Sequence, residues 1–424
     1  MMNFSPNTVN MSCCTECNTN NQTNGNSWKP FLGKIAGWLS KAGVYAVIGA
    51  CFTTALSTSM MGAFGLLIIL FWILSGRITD LPWLVRKNPP AAWAMALGCL
   101  FIIGLSYSPA TLDDSLDMLK KYRELLFIPA VMALMSDCST TVRRRAVYAF
   151  FLGAALSLVA SYLMFFGLMK APHVGYSLTY HITHSFFMAI LAFWAFHKAM
   201  DEKRYRMAYI VLLLAAVGNI VYIAPGRTGM ITWLLLSVLF LAQRLSRKRF
   251  LGGMTIFLMV GLALLATSTN VRERIRAAYT DIATYEQGVS RSSLGMRFDW
   301  WYNSVRLIGE SPVWGHGTGS FVLEHERLIK GTETKSTDNP HSEYLFLAVQ
   351  TGGLGLISFL GLLVSGWRQG RFLMENDKWL LQGVVLSMAL GCLMNSFLFD
   401  SHQGHYFAFL VGILAAPLQE AERS

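Results

Sequence analysis

Three segments carry the residue types that could handle an anionic leaving group and a transferable proton. The first is Ala224-Pro225-Gly226-Arg227-Thr228-Gly229, where an Arg sits between glycines at the start of an apolar run. An Arg near hydrocarbon is costly without a partner, and its planar fork of donors fits phosphate oxygens. A snorkelling or loop-capping Arg is the plain alternative. The second is Ser292-Ser293-Leu294-Gly295-Met296-Arg297, followed by Trp300-Trp301. Arg297 could serve the same anion, or make a cation–π contact or an ion pair. The third is Asp338-Asn339-Pro340-His341-Ser342-Glu343-Tyr344-Leu345. Asn339 is a good N-cap and Pro340 suits the first helical position, so His341 is expected in the first turn of the next helix. The positive end of the helix dipole disfavours imidazolium, and neutral imidazole can accept a proton. His341 is thus a candidate general base, with a hydrogen-bonded interfacial His as the alternative. Glu343, two positions on, is expected to face elsewhere.

Other features are weaker. Gly315-His316-Gly317-Thr318-Gly319-Ser320-Phe321 could turn backbone N–H groups toward an anion, or simply make a tight turn. Gly317 and Gly319 are therefore possible site-lining residues. Lys120, Lys121 and Arg123 are basic on the side where basic residues are otherwise scarce, which suits an anionic ligand or lipid phosphate equally. His181 and His184 could share a metal, although two neutral surface histidines fit as well. Asp400, with His402 and His405, could line the same site as His341. Asp113 and Asp114 could hold a divalent cation or form a solvated loop. Cys13, Cys14 and Cys17 lie in a polar tail without a partner cluster at zinc-finger spacing, so no metal site is assigned.

Something must position these residues, and composition says what. The chain has 424 residues, 54% hydrophobic and only 14% charged. Soluble domains carry about 25% charged residues. Apolar runs fall at about 43–58, 60–76, 91–107, 121–137, 146–169, 180–200, 206–224, 228–243, 249–268, 341–365, 379–398 and 405–419. These predict an all-α integral membrane protein with about twelve spans, some short enough to be partly re-entrant. The expected organisation is a disordered cytoplasmic tail over 1–33, spans over 34–268, a folded loop over 269–340, and the last spans with a short tail over 341–424. The 1–33 tail lacks the apolar core and cleavage site of a signal peptide.

Lys and Arg set the orientation. With both termini cytoplasmic, Arg77, Arg86, Arg143, Arg144, Arg145, Lys203, Arg244, Arg247 and Arg368 all fall inside, and the outside loops are mostly neutral or acidic. The net charge of +11 then reflects topology, and without a continuous basic face it does not indicate nucleic acid. The loop over 269–340 lies outside. It is too long and too rich in Arg, Trp, Tyr and Gly for an unstructured connection, and 293–309 has helical spacing. Trp300, Trp301 and Tyr302 suit a membrane interface.

The order of these motifs resembles a family. G-R-T-G before one span, S-L-x-x-R-x-x-x-W and G-x-G-x-G-S-F in the late loop, then N-P-H-S-E-Y-L into the next span, are similar to the O-antigen ligase and O-antigen polymerase superfamily. The resemblance covers roughly 40–419, with its specific part at 225–345. It implies a fold like that of C-type membrane glycosyltransferases and a place in the bacterial inner membrane, with a periplasmic active site. The implied reaction transfers O-antigen glycan from undecaprenyl diphosphate to lipid A–core oligosaccharide, with inversion and without a metal or other cofactor. The family's essential arginines fall on Arg227 and Arg297, and its His on His341.

The residues suit that reaction. A diphosphate leaving group needs fixed positive charge, for which Arg227 and Arg297 are candidates and Lys121 and Arg123 auxiliaries. An attacking hydroxyl must lose a proton, which His341 could take. Asn339 and Asp400 join Gly317 and Gly319 as possible site-lining residues. A polymerase or a protein O-oligosaccharyltransferase would share the donor and differ in acceptor. A transporter is less well matched, because few ionisable residues lie deep in the spans. A non-catalytic scaffold would leave the clustering of Arg and His without a role.

Overall fold

The computed structural model describes residues 29–172, 175–289 and 291–416. The cysteines at 13, 14 and 17 and most of the expected tail lie outside the described residues. What is described is helical throughout, with no strand among the described residues. In chain order the helices are α1 (Lys29–Thr53), α2 (Thr58–Leu74), α3 (Leu81–Lys87), α4 (Pro89–Gly104), α5 (Leu112–Lys121), α6 (Glu124–Met135), α7 (Thr140–Phe165), α8 (His181–Asp201) and α9 (Arg206–Gly218). They continue with α10 (Arg227–Arg244), α11 (Arg247–Thr267), α12 (Thr269–Ala283), α13 (Ser293–Glu310), α14 (Phe321–Ile329), α15 (Glu343–Gln369), α16 (Glu375–Met394) and α17 (Ser401–Leu414).

Each of the twelve apolar runs lies on one of these helices, with shifted ends. The largest shift is at α1, which begins at Lys29 and so takes in the last residues of the expected tail. By length and composition five helices can cross a membrane, or six if the pair 58–74 and 77–87, bent by 82°, counts as one. Others, such as Pro89–Gly104 and Glu124–Met135, are apolar but shorter.

The buried centre is built from α6, α8 and α17. Nearly every residue of α6 and α17 is buried, and so is the apolar length of α8. Around them pack α1, α2, α4, α7, α9, α10 and α16, and α15 packs outside these on α4 and α16. Outward faces are apolar too: Leu66, Val211, Leu214 and Leu262 are all exposed. A water-soluble bundle would turn such side chains inward, and a membrane protein turns them to lipid.

Two features set the frame for the site. At α10, the glycines flanking Arg227 let the helix press onto α8: a Cβ on Gly229 would come within 2.5 Å of the Ser185 backbone, and one on Gly226 within 2.1 Å of the Ser185 hydroxyl. In α15 the helix breaks at Gly352, whose φ of 64° suits glycine. The break receives the loop after α13, with Gly353 N–H donating to Pro312 O at 2.8 Å.

Candidate functional site

Arg227 is the first residue of α10, as the sequence suggests. Its guanidinium is 3.8 Å from Asp281 on α12, and its buried Nε has no hydrogen-bond partner. Arg297 lies one turn into α13. It donates to the Met394 carbonyl at 2.9 Å and to Asn395 Oδ1 at 3.3 Å. A guanidinium has five N–H donors, so three remain. Its partners are a backbone carbonyl and an amide rather than a ring or a carboxylate, which corrects the cation–π and ion-pair alternatives. Burial, and then the nearby Arg227, hold the Arg297 pKa below its ordinary value. Two cations thus converge while the carboxylate beside them, Asp281, stands at ion-pair rather than hydrogen-bonding distance. Such a place favours an anion.

The expectation for His341 needs correction in one respect. His341 is not in a helix: α15 starts at Glu343, with Ser342 as its N-cap residue. His341 has a φ of 52°, in the left-handed region. The cause is local, because Asn339 does not cap a helix. Its Oδ1 accepts from His341 N–H at 2.9 Å, an Asx-type turn. The imidazole stays neutral all the same. Its pKa falls to about 4, first through burial and then through the charge of Arg297, against an opposing pull from Asp338. Among the described residues its ring nitrogens have no hydrogen-bond partner, which leaves one available to a substrate.

Two tryptophans of the run on α13 hold this loop. Trp301 Nε1 donates to Pro340 O at 2.9 Å, and Trp300 Nε1 to Lys335 O at 2.9 Å. The Trp300 ring lies 5.3 Å from the His341 ring, centroid to centroid.

The turn between α16 and α17 ties the three motifs together, and sequence reasoning missed most of it. Asn395 accepts from Arg297 and donates to Thr228 Oγ1 at 2.9 Å, next to Arg227. Ser396 Oγ donates to Asn339 Oδ1 at 3.3 Å. Glu343 holds the turn from below, accepting from Leu398 N–H at 2.9 Å, Phe399 N–H at 3.1 Å and Tyr122 O–H at 2.7 Å. At its end stands Asp400, whose pKa burial raises to about 6, with Lys121 opposing and Asp338 adding to the rise. Lys121 sits over the Phe399 ring at 4.9 Å. Arg227, Arg297, His341, Asn339, Asp400 and Lys121 therefore form one neighbourhood.

Other candidates do not join it. The glycine run does not present its amides to an anion. His316 N–H donates to Val349 O, Gly317 N–H to Gln350 O, Thr318 N–H to Gly104 O and Gly319 N–H to Gln350 Oε1. Gly317 and Gly319 pack against Ser108 and Ser115, so the run clasps α4 and α5 to α15 rather than lining the site. Arg123 is exposed and donates to Lys120 O at 2.9 Å. His184 is buried with one ring nitrogen at Ser157 and the other at Asn219, which leaves none for a metal shared with His181. His402 and His405 turn into the bundle, toward Thr54 and Glu124. Asp114 accepts from Thr111, the N-cap of α5. The metal-like grouping among the described residues is Glu310, His316 and Glu324, but Arg327 already binds both carboxylates.

Residues 208–360 match the family model described as O-antigen ligase. The matched stretch contains Arg227, Arg297 and His341, and the resemblance carried by those motifs holds. A 174-residue stretch is 27% identical to an uncharacterized protein of Haemophilus influenzae and covers 39% of this chain. The chain spans 44% of the length of that relative.

Proposed function

We propose, with glycan transfer of the O-antigen ligase superfamily as the premise, that this membrane protein moves O-antigen glycan from undecaprenyl diphosphate to lipid A–core oligosaccharide. The reaction runs on the periplasmic face of the bacterial inner membrane. The observation that carries the reading is the meeting of two arginines and one neutral, unpartnered histidine. Arg227 and Arg297 bind the diphosphate and take up its charge as it leaves, with Lys121 at the rim. His341 accepts the proton of the attacking sugar hydroxyl. The hydroxyl oxygen bonds to the anomeric carbon as the bond to the diphosphate oxygen breaks. With one displacement and no glycosyl-enzyme intermediate, the anomeric configuration inverts. Two guanidiniums neutralise the leaving group, and no step in this scheme calls for a metal.

The twelve helices on the apolar runs support a multi-pass arrangement with both termini cytoplasmic. Arg227 and Arg244 are at opposite ends of α10, and Arg244 pairs with Asp201 at 2.6 Å. That end also carries Arg143 and Lys198, and its basic character supports reading it as the cytoplasmic end. The Arg227 end faces the periplasm, where α12, α13 and α14 form the loop domain.

The test is transfer from undecaprenyl-diphosphate-linked O-antigen to lipid A–core by purified protein in EDTA, wild type against His341→Ala. Transfer by wild type that is largely lost in the variant supports the reading. Transfer unaffected by the substitution removes His341 as base. Absence of transfer by folded wild type, with Mg²⁺ added, turns the reading to the polymerase or oligosaccharyltransferase branch.

A further inference from the structure

One face of α13 borders an open cleft, with the end of α14 across it. Asp299, Tyr302, Asn303 and Arg306, at helical spacing i, i+3, i+4 and i+7, line a cavity of about 450 Å³ whose far side is formed by Leu328 and Thr332. That size is within the roughly 300–1,000 Å³ of small-molecule sites.

Two side chains that line it carry polar atoms without a protein partner among the described residues. Asn303 is only 8% exposed, yet its carboxamide makes no hydrogen bond among the described residues. It is absent from the polar atoms sealed off from the surface, so the amide opens to the cavity. Asp299 is 3% exposed. Its Oδ1 accepts from Tyr285 O–H at 3.0 Å and Gly288 N–H at 2.8 Å, while Oδ2 has no such partner. The amide and this oxygen are both open to the cleft, where a polar ligand can take the place of water. Beside them Tyr302 offers an exposed ring, with the Arg306 guanidinium 6.0 Å from its centre.

We propose that this cleft is a glycan subsite. Sugar hydroxyls both donate and accept, which matches a carboxamide, a carboxylate oxygen and a guanidinium, and the C–H face of a sugar ring suits the Tyr302 face. The cleft and His341 are on either side of α13, the cleft at Asp299 and the His341 ring against Trp300. The inference rests on the glycan-transfer reading and deepens it. The bound sugars belong either to the donor's O-antigen or to the acceptor core.

The full chain in detergent decides this by saturation-transfer NMR with two lipid-free probes: core oligosaccharide and O-antigen polysaccharide, both released from lipopolysaccharide by mild acid. Wild type and His341→Ala are expected to give sugar signals with one probe, which names the source. The doubly substituted Tyr302→Ala/Asn303→Ala protein, matched to wild type in elution and Tm, is expected to lose them. Signals that persist in the double variant, or wild type that binds neither probe, overturn the subsite. In the transfer assay the single variants should raise KM for that substrate about tenfold, the loss of one hydrogen bond or stacking contact, with kcat little changed. Transfer with unchanged KM removes the subsite and leaves the ligase reading standing. Binding without transfer keeps the subsite and removes the ligase reading.

Discussion

The carboxamide of Asn395 accepts from the Arg297 guanidinium at 3.3 Å, and from its other end donates to Thr228 at 2.9 Å. One buried side chain thereby sets the distance between the helix that carries Arg297 and the one that begins at Arg227. Two guanidiniums repel each other, and each gains little from being near the other until an anion arrives. A fixed amide between their supports keeps them together in its absence, which is preorganisation of the kind that lowers a barrier.

Asn395→Ala should therefore cost catalysis more than fold. Two hydrogen bonds are lost, one to a charged group, worth together roughly 2–4 kcal/mol. The expected fall in kcat is about 10²-fold, with Tm lowered by a few degrees at most. Steady-state transfer kinetics on protein of unchanged elution volume check this. Wild-type kcat in the variant would show that the arginines are held some other way.

The pH profile follows from His341. A base must be neutral, and its pKa lies near 4, lowered by burial and by Arg297. Lowering pH from 7 should leave kcat/KM flat through the ordinary histidine range and reduce it only as pH falls through about 4. The same depressed pKa makes folding less favourable as pH falls from about 6.5 toward 4, because the unfolded chain takes up the proton first. An acid limb centred near 6.5 in kcat/KM would contradict the assignment.

Arg297→Gln tests the coupling itself. Removing the charge removes the second cause of the shift and leaves burial, the larger one. The His341 pKa should rise, though not to its ordinary value. Histidine-selective ¹⁵N NMR of the two proteins, titrated side by side, reads this directly. An unchanged titration would mean that Arg297 does not act on His341.

The sequence exposes the apolar runs, because a lipid-facing helix must be apolar over its length, and each run is found on a helix. It also exposes the three motif segments, since Arg and His near hydrocarbon stand out. What it hides is long-range. Asn395 and Ser396 are short polar residues within an apolar run, and their partners on α13, on α10 and beside Asn339 are distant in the chain. A polar pair near the end of that run was the available signal. The conformation of His341 was hidden for a different reason. Asn caps helices and makes Asx turns through the same side-chain oxygen, so residue type alone did not separate them. The glycine run misled because glycine permits both an anion nest and a close backbone clasp, and only the partners of its N–H groups distinguish these.

Arg227 gives a test of geometry against charge. Its fork is offered to the anion, with Asp281 at 3.8 Å and a buried Nε that has no partner. Arg227→Ala removes one charge-stabilising group and should lower kcat about 10²–10³-fold, as for other such donors. Arg227→Lys keeps the charge and loses the planar pair of donors, so an intermediate loss is expected. Equal activity of Lys and Arg would mean that a point charge is sufficient there.

Gly352 is where stability, not chemistry, should fail. Its φ of 64° lies in the left-handed region, and a Cβ would stand 2.1 Å from the Val313 carbonyl oxygen. Backbone cannot move aside as a flexible side chain can. The conformation alone costs about 1–3 kcal/mol for a residue other than glycine. The clash adds to that by opening the break in α15 that receives Pro312 and Val313. Since the clasp formed by 315–319 docks on Val349 and Gln350 just before the break, the loop domain should loosen with it. Gly352→Ala should thus lower Tm and expose loop 312–319 to protease, while Gly309→Ala, with open space around its Cβ position, should not. Limited proteolysis of the two variants in detergent separates the cases. Equal resistance would show that α15 tolerates a side chain at its break and that the loop is anchored elsewhere.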